Sequence, residues 1–413
     1  MFMLLNNTGM RFDFITELLG LQGFSVYHAI IKENILHLYL EREELPICPQ
    51  CGSIFSGEIK DTYEQCVEDL SVFGKRCYII FDKVRFDCQC SYAGNELIPW
   101  LCPYARYTIR FTKWIYAFCK RMAGIDVARI FGISKHAVYR LDKAGIEEEL
   151  SQQEPIKPSM LSIDEISRKK GHRYATIISA PRERKIVEVI KDRKKAGLNA
   201  FFKTKGKVWC SRILIVTMDA WKAFRTSVSE FCQNAAICFD HFHLAQHFSK
   251  AIDKIRNHEA HKASKKDKEV YVGKRWLLLR KPENLDEDQK KELNSLLDLN
   301  KNIARVYILR DEFREIFYGF SVRSRLIRLA NWMKKCSTLH LKPLTDFVKM
   351  IRRQLPYVKN SLRNNVSNGF AEGLNNKIRV IQRMAYGYKD FDYLRLKIIQ
   401  QFNFRSIKSL FDP

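Results

Sequence analysis

Acidic side chains that close apolar runs are the first feature here with the makings of chemistry. The run MLSID ends in Asp164, and RILIVTMD ends in Asp219. Buried parallel strands read as continuous apolar runs. A carboxylate just past the end of such a strand sits at the sheet's C-terminal edge, where α/β folds bind ligands. Neighbouring strands would bring the two carboxylates together, and like charges held close are unfavourable unless a cation lies between them. Magnesium suits that place, because it takes oxygen ligands and keeps several waters. A third acid can come from a helix packed beside the edge. In GFAEGLNNKIR, residues 369–379, Glu372 stands alone among amide and cationic side chains. At helical spacing Glu372, Asn376 and Arg379 share one face, and Arg383 continues it. That face is either a solvated one with a spare carboxylate or the source of the third ligand. Three such groups can hold two divalent ions about 3.5–4 Å apart, which activates a water or hydroxyl and stabilises a leaving oxygen. Taken singly, each acid reads as an N-cap or a turn residue.

Two further constellations carry possible ligands. Asp240 and His243 form a D-x-x-H in CFDHFHL. They either support the acids or include a histidine satisfied in the core at a helix start. His241 and His247 read as ordinary helix residues, since no fourth zinc ligand accompanies them. Cys48 and Cys51 form C-P-x-C-G, and Cys88 and Cys90 form C-x-C. Two thiolate pairs can share one tetrahedral zinc. Such an ion would fold a small domain with little core of its own. The alternative is a set of reduced, metal-free thiols, and Cys66 or Cys77 are possible substitutes in the ligand set.

These groups need elements to position them. Lys and Arg total 71 against 46 Asp and Glu among 413 residues, an excess of +25 that recurs along the chain and favours a large polyanionic partner. At 46% hydrophobic residues the chain has too much core for a disordered protein. The start MFMLLNNTGMRFDF lacks a basic n-region and a long apolar stretch, and no later run is long enough to span a bilayer. The expected location is the cytoplasm, where disulfides are rare. Residues 1–105 read as a β-rich, zinc-ribbon-like domain. Residues 106–150 contain DVARIFGISKHAVYRLDK, a helix-turn-helix. There Val127, Ala128, Ile130 and Phe131 give the first helix an apolar face, Gly132 permits the turn and Ser134 caps the second helix. Ala137, Val138 and Leu141 pack that helix back. Lys135, His136, Tyr139, Arg140 and Lys143 point outward, as major-groove and phosphate contacts require. SQQEPIKPS, residues 151–159, reads as a linker. Residues 151–250 alternate strands with helical text, an α/β pattern. Residues 251–360 are Lys/Arg/Leu-rich with helical period and read as an insertion. Residues 361–413 return with the helix of Glu372. Lys169, Lys170, His172, Lys203, Lys205 and Lys207 either track a DNA backbone or form a solvated surface, and Trp209 and Trp221 read as core.

The blocks SIDEISRKKGHRYATIIS, VTMDAWKAF, CFDHFHLAQHFSKAIDKIR and SNGFAEGLNNKIRVIQRMAYGYKDFDYL resemble successive parts of a bacterial insertion-sequence transposase, of the family named ISL-three. The cysteine region and helix-turn-helix share the resemblance, so it spans nearly the whole chain. The core E-G-L-N-N-K-I-R is its most specific part. The family's second cysteine pair has two intervening residues where this chain has one. The resemblance implies a ribonuclease-H-like α/β fold with a helical insertion and an Asp–Asp–Glu triad, here Asp164, Asp219 and Glu372. It further implies two Mg²⁺ or Mn²⁺ ions on those acids, zinc on the cysteines, and DNA as partner. That DNA would be terminal inverted repeats and a target, handled by a homo-oligomer. Asn376 and Arg379 would then lie on the DNA-facing side of their helix. Strand cleavage and transfer is the implied activity. A catalytically silent DNA-binding regulator of the same descent, or a nuclease without strand transfer, are the rivals.

Overall fold

The computed structural model describes residues 13–102, 106–169, 173–318, 321–364, 366, 369–385 and 387–404, without the side chains of Lys169, Arg173, Lys266, Gly369 and Glu372. Lys170 and His172 lie outside the described residues. The chain divides into two compact units, one up to Gln152 and one from Gln153 to Phe404. The division falls within the polar, proline-bearing segment 151–159.

In the first unit α1 (Asp13–Leu19) precedes β1 (Phe24–Lys32), β2 (Ile35–Arg42), β3 (Asp61–Val72), β4 (Lys75–Asp87) and β5 (Ala93–Asn95). Their order is β1-β2-β4-β3, with β5 on the end of β4, and among the described strands of this sheet only β2 and β4 run parallel. Alternate residues such as Leu38, Leu40, Ile79 and Phe81 fill one buried face. Three helices follow: α2 (Ile109–Cys119), α3 (Gly124–Phe131) and α4 (Lys135–Gln152). Phe111, Ile115, Val127, Ala128 and Val138 form their core. Gly132 ends α3 at φ 65°, a left-handed cap that only glycine adopts cheaply. Ser134 Oγ accepts the Ala137 N–H at 3.1 Å, the expected cap of α4. Ile130, expected on the apolar face, is instead 57% exposed. The stripe centred on Val127, Ala128 and Phe131 leaves it about 110° round the helix.

The second unit is built on β6 (Met160–Lys169), β7 (Arg173–Ala180), β8 (Lys185–Ile190), β9 (Ile215–Met218) and β10 (Ala236–Phe239). The order is β10-β9-β6-β7-β8, parallel across β10, β9 and β6, antiparallel across β6, β7 and β8. Asp164 does not end its strand, contrary to the reading of MLSID. Parallel pairing with β9 stops at Ile163, but antiparallel pairing with β7 carries β6 on to Lys169. The helices α5 (Lys195–Lys205), α6 (Lys207–Ser211) and α7 (Lys222–Phe231) cover the sheet with Leu198, Phe202, Phe224 and Val228.

Both sheet edges are closed by side chains rather than left to pair with another chain. On β8, Asn403 accepts from the Ile186 N–H and donates to its carbonyl, both at 2.9 Å, while Arg395 pairs with Glu188. On β10, Asn360 donates to the Ile237 carbonyl and Ser361 to that of Phe239. These residues come from α17 (Phe391–Asn403) and α15 (Leu355–Asn364).

The long α8 (His241–Lys262) leaves β10 and enters a helical body. It comprises α9 (Lys265–Tyr271), α10 (Arg275–Leu279), α11 (Glu287–Leu299), α12 (Lys301–Glu315), α13 (Val322–Thr338), α14 (Lys342–Arg353) and α15. The boundaries drawn at 150, 250 and 360 thus fall inside α4, α8 and α15. Helical periodicity continues across each of them, so no compositional break marks the change of surroundings. Phe248 of α8, Phe313, Trp332 and Phe347 meet at its centre, and Trp332 donates to the Leu309 carbonyl at 2.7 Å. No described helix is long and apolar enough to cross a membrane. Trp332→Ala removes the largest buried side chain of this body and should cost about 3–5 kcal/mol. Urea denaturation followed by circular dichroism should show an early helical transition, and an unchanged midpoint would contradict this packing.

Candidate active site and metal centre

Strand register alone brings three acids level. Ile163 of β6 and Phe239 of β10 both pair with Met218 of β9, so the next residue on each strand is Asp164, Asp219 and Asp240. Parallel neighbours lie about 4.8 Å apart, so acidic positions in one row are forced close. One backbone contact turns the chain at this row and another extends the β9–β10 ladder to it. The Trp221 N–H donates to the Asp219 carbonyl at 2.7 Å, and the Asp240 N–H to the Met218 carbonyl at 3.1 Å.

Each carboxylate then has its own partners. Asp164 Oδ1 accepts the Glu165 N–H, and Oδ2 accepts the Asn375 amide at 2.7 Å. Burial pushes the Asp164 carboxyl above its ordinary pKa, against the opposing pull of those hydrogen bonds and of His243. Asp219 Oδ1 accepts the Ala220 N–H at 2.6 Å. Asp240 is buried and N-caps α8 through the Phe242 N–H. Its position sends His243, in the first turn of α8, over the row. His243 Nε2 lies 3.9 Å from Asp164 and 3.8 Å from Asp240, and Nδ1 lies 3.9 Å from Asp219. The D-x-x-H histidine is therefore beside the acids and not in the core. His241 instead stacks on Phe317 and bonds the Tyr318 hydroxyl at 3.2 Å.

Glu372 belongs to α16 (Gly369–Met384), but its side chain lies outside the described residues. The helix itself is well tied. Ala371, Leu374, Ile378 and Ile381 are buried at helical spacing, Lys377 donates to the Gln401 carbonyl of α17, and Asn375 reaches Asp164. Asn376 and Arg379 are exposed and contact each other at 3.4 Å. Asn375 is the residue that sequence reasoning passed over. Its signal was present, since i+3 shares a face with Glu372 as fully as i+4 does. Asp240, read from the sequence only as part of the D-x-x-H, joins the row through the register of β10 with β9.

Divalent ions fit what is described here. The Asn375 Oδ1 is buried with no hydrogen-bond partner among the described residues, beside a buried carboxylate. Such an orphaned oxygen suits a hydrated cation or its water. Among the described residues these acids do not themselves close into a compact ligand set. The cysteines do: ligand atoms of Cys48, Cys51, Cys88 and Cys90 all lie within 4.8 Å of one another. Cys48 and Cys90, and Cys51 and Cys88, have sulfurs 3.7 Å apart. A tetrahedron with Zn–S of about 2.3 Å has edges of about 3.8 Å, so the spacing matches. Gly52, at φ 71°, closes the first knuckle with its N–H on the Cys48 carbonyl. The shortened C-x-C is accommodated by a tight turn, in which the Ser91 N–H donates to Cys88 and the Cys88 N–H to Tyr92. Hydrogen bonds from the Ser53 backbone and hydroxyl and from Cys48 bring the Cys51 thiol down to about 6.

On α4, Lys135, His136 and Arg140 are exposed, while Tyr139 and Lys143 are half-buried and Lys143 lies 3.9 Å from Glu147. Lys203, Lys205 and Lys207 are exposed, with Lys205 over the Phe201 and Trp209 rings.

Residues 161–398, more than half of the chain, match a family model described as a transposase, the ISL3 form of the DDE type. The chain belongs to the ISL3 family of transposases. Residues 44–90 match the zinc-finger of transposases IS204/IS1001/IS1096/IS1165, and residues 96–145 match the helix-turn-helix domain of family ISL3. The transposase for insertion sequence element IS1001 of Bordetella parapertussis is 30% identical over 92% of this chain and 95% of its own length. The transposase for IS1557 of Mycobacterium tuberculosis is 24% identical over 74% of each chain. All four cysteines fall inside the zinc-finger match. If these cysteines hold one zinc, the purified transposase should carry one equivalent by elemental analysis, and Cys90→Ser should lose it. Full zinc retention by that variant would remove Cys90 from the set.

Proposed function

We propose that this transposase binds the terminal inverted repeats of its insertion sequence and cuts and joins DNA at Asp164, Asp219 and Glu372. The observation that carries the reading is the single row of acids on three parallel strands, met by α16 through Asn375. Two antiparallel strands beside three parallel ones, in the order β8-β7-β6-β9-β10, support a ribonuclease-H-like catalytic core. The helical body from residue 251 to 360 is then its insertion, and residues 361–413 its closing part. Residues 1–105 and 106–150 serve as zinc-ribbon and helix-turn-helix domains.

Asp164, Asp219 and Glu372, the last from one turn before Asn375, would hold two Mg²⁺ or Mn²⁺ ions. When bound, these supply an activated oxygen nucleophile and charge neutralisation at the phosphodiester. Asn375 fixes the Asp164 carboxylate by donating to Oδ2. Asp240 holds the start of α8, and so the imidazole of His243, against both ligands. His243 offers a donor between two carboxylates and can carry a proton at Nε2 or Nδ1. Lys135, His136, Tyr139, Arg140 and Lys143 would read duplex ends, and Asn376 and Arg379 would meet DNA near the site. Zinc on the four cysteines would be structural. The chain would work as a homo-oligomer that joins two ends to a target.

Asp164→Asn should lower Mg²⁺-dependent nicking of end-bearing DNA by at least about 10³-fold. Nicking that persists in the variant would remove Asp164 from the site. Arg140→Ala should weaken binding of the same duplex and reduce its salt slope by about 1. An unchanged affinity would take α4 off the DNA.

Stability gives an independent check. The Asp164 carboxyl ionises near 3.9 in an unfolded chain, and burial raises it in the fold. Its favourable contribution is present below the unfolded value and is lost as pH rises through the raised one. In chelator at pH 7, Asp164→Asn should therefore melt above the wild type, with the gap closing as pH falls toward 4. A lower melting temperature at pH 7 would contradict the buried, cation-seeking carboxylate.

A further inference from the structure

We propose that a pocket beside the acidic row seats one unpaired nucleotide of the DNA strand, stacked on Trp221. The sequence had read this tryptophan as core, yet the residue is 42% exposed. It stands two residues beyond Asp219, at the start of α7, where the chain has just turned. A cavity of about 500 Å³ opens against it, lined by Arg168, Tyr174, Lys191, Arg193 and Lys194 among others. That volume is in the range of small-ligand sites.

One cation links the pocket's aromatic residues. The Arg193 guanidinium lies 4.5 Å from the Tyr174 ring centroid and 4.8 Å from that of Trp221, sandwiched between the two. Glu165 holds it there at 3.4 Å. Glu165 follows Asp164 on β6, so it faces the opposite side of the sheet at the same level. The pocket and Asp164 thus lie on opposite faces, and a strand meeting both rounds the sheet edge past Asp219 and Trp221, two residues apart. Lys191 and Lys194 are exposed and make no ion pair with a described residue.

A partly exposed tryptophan flanked by cations fits a base and its phosphate better than an apolar ligand. Bases stack on such rings irrespective of sequence, and arginine adds a cation–π contribution. In a duplex the base faces are already covered by their neighbours, so the occupant must be unstacked. The pocket would thus hold the strand open next to the bond that the acids address. This inference rests on the transposase reading only for DNA as the occupant.

The test is metal-free binding by the full chain in chelator. A short single strand carrying one 2-aminopurine is titrated with protein, and its fluorescence and affinity are read. The wild type should quench the probe and bind it about ten-fold more tightly than Trp221→Ala. Trp221→Phe, which keeps a ring, should recover most of that loss. Equal affinity and equal quenching in Trp221→Ala would overturn the proposal, as would probe quenching that is no greater for single strand than for duplex. Failure of Asp164→Asn to affect nicking would instead sink the catalytic reading and leave this binding result standing.

Discussion

Carboxylates brought level in one row, and only partly open to water, are the constraint on which the catalytic unit depends. Asp164 is half-buried, sits in register with Asp219 and Asp240, and among the described residues has only neutral donors and one imidazole to offset its charge. Burial disfavours the ionised form of Asp164, and the neighbouring Asp240 charge adds to that. The sheet keeps the row only because the rest of the unit is stable without it. Apolar faces of β6, β9 and β10, side-chain amides on both sheet edges and the helical body around Trp332 do that work. Divalent cations bound there would offset that cost, as they would the charge of a phosphodiester brought beside them.

The helices that meet the row serve two structures at once. α8 starts at the acids with His243 and ends in the insertion with Phe248, Ile252 and Ile255. α16 carries Asn375 to Asp164 and is tied to α17, which itself closes the β8 edge. A rearrangement of either support would move a side chain at the site. The cysteine cluster plays the corresponding part in the other unit, joining the turn after β2 to the turn after β4 where little apolar surface is available.

Much of this was legible in the residues. Apolar runs ending in acids gave two members of the row, because parallel strands buried on both faces cannot hide a change of polarity. Gly132 and Ser134 announced the helix-turn-helix through backbone requirements that few residues meet. Other features depended on pairing that no local pattern encodes. The end of β6 was misplaced because its second neighbour, β7, extends further than its first. Asp240 joined the row only once β10 was seen in register with β9. Asn375 lost to Asn376 because adjacent amides both fit a helical face, and only docking against β6 decides between them. Trp221 read as core because large aromatic rings usually are, and its exposure follows from the turn after Asp219.

Whether residues 164, 219 and 372 converge on one cation site can be measured directly. Fe²⁺ substituted into the transposase, with ascorbate and peroxide, generates hydroxyl radicals that cut the backbone close to the bound ion. The account predicts three clusters of cuts, around Asp164, around Asp219 and in the first turn of α16, all suppressed by excess Mg²⁺. Cuts confined to the first two positions, with α16 untouched, would contradict it.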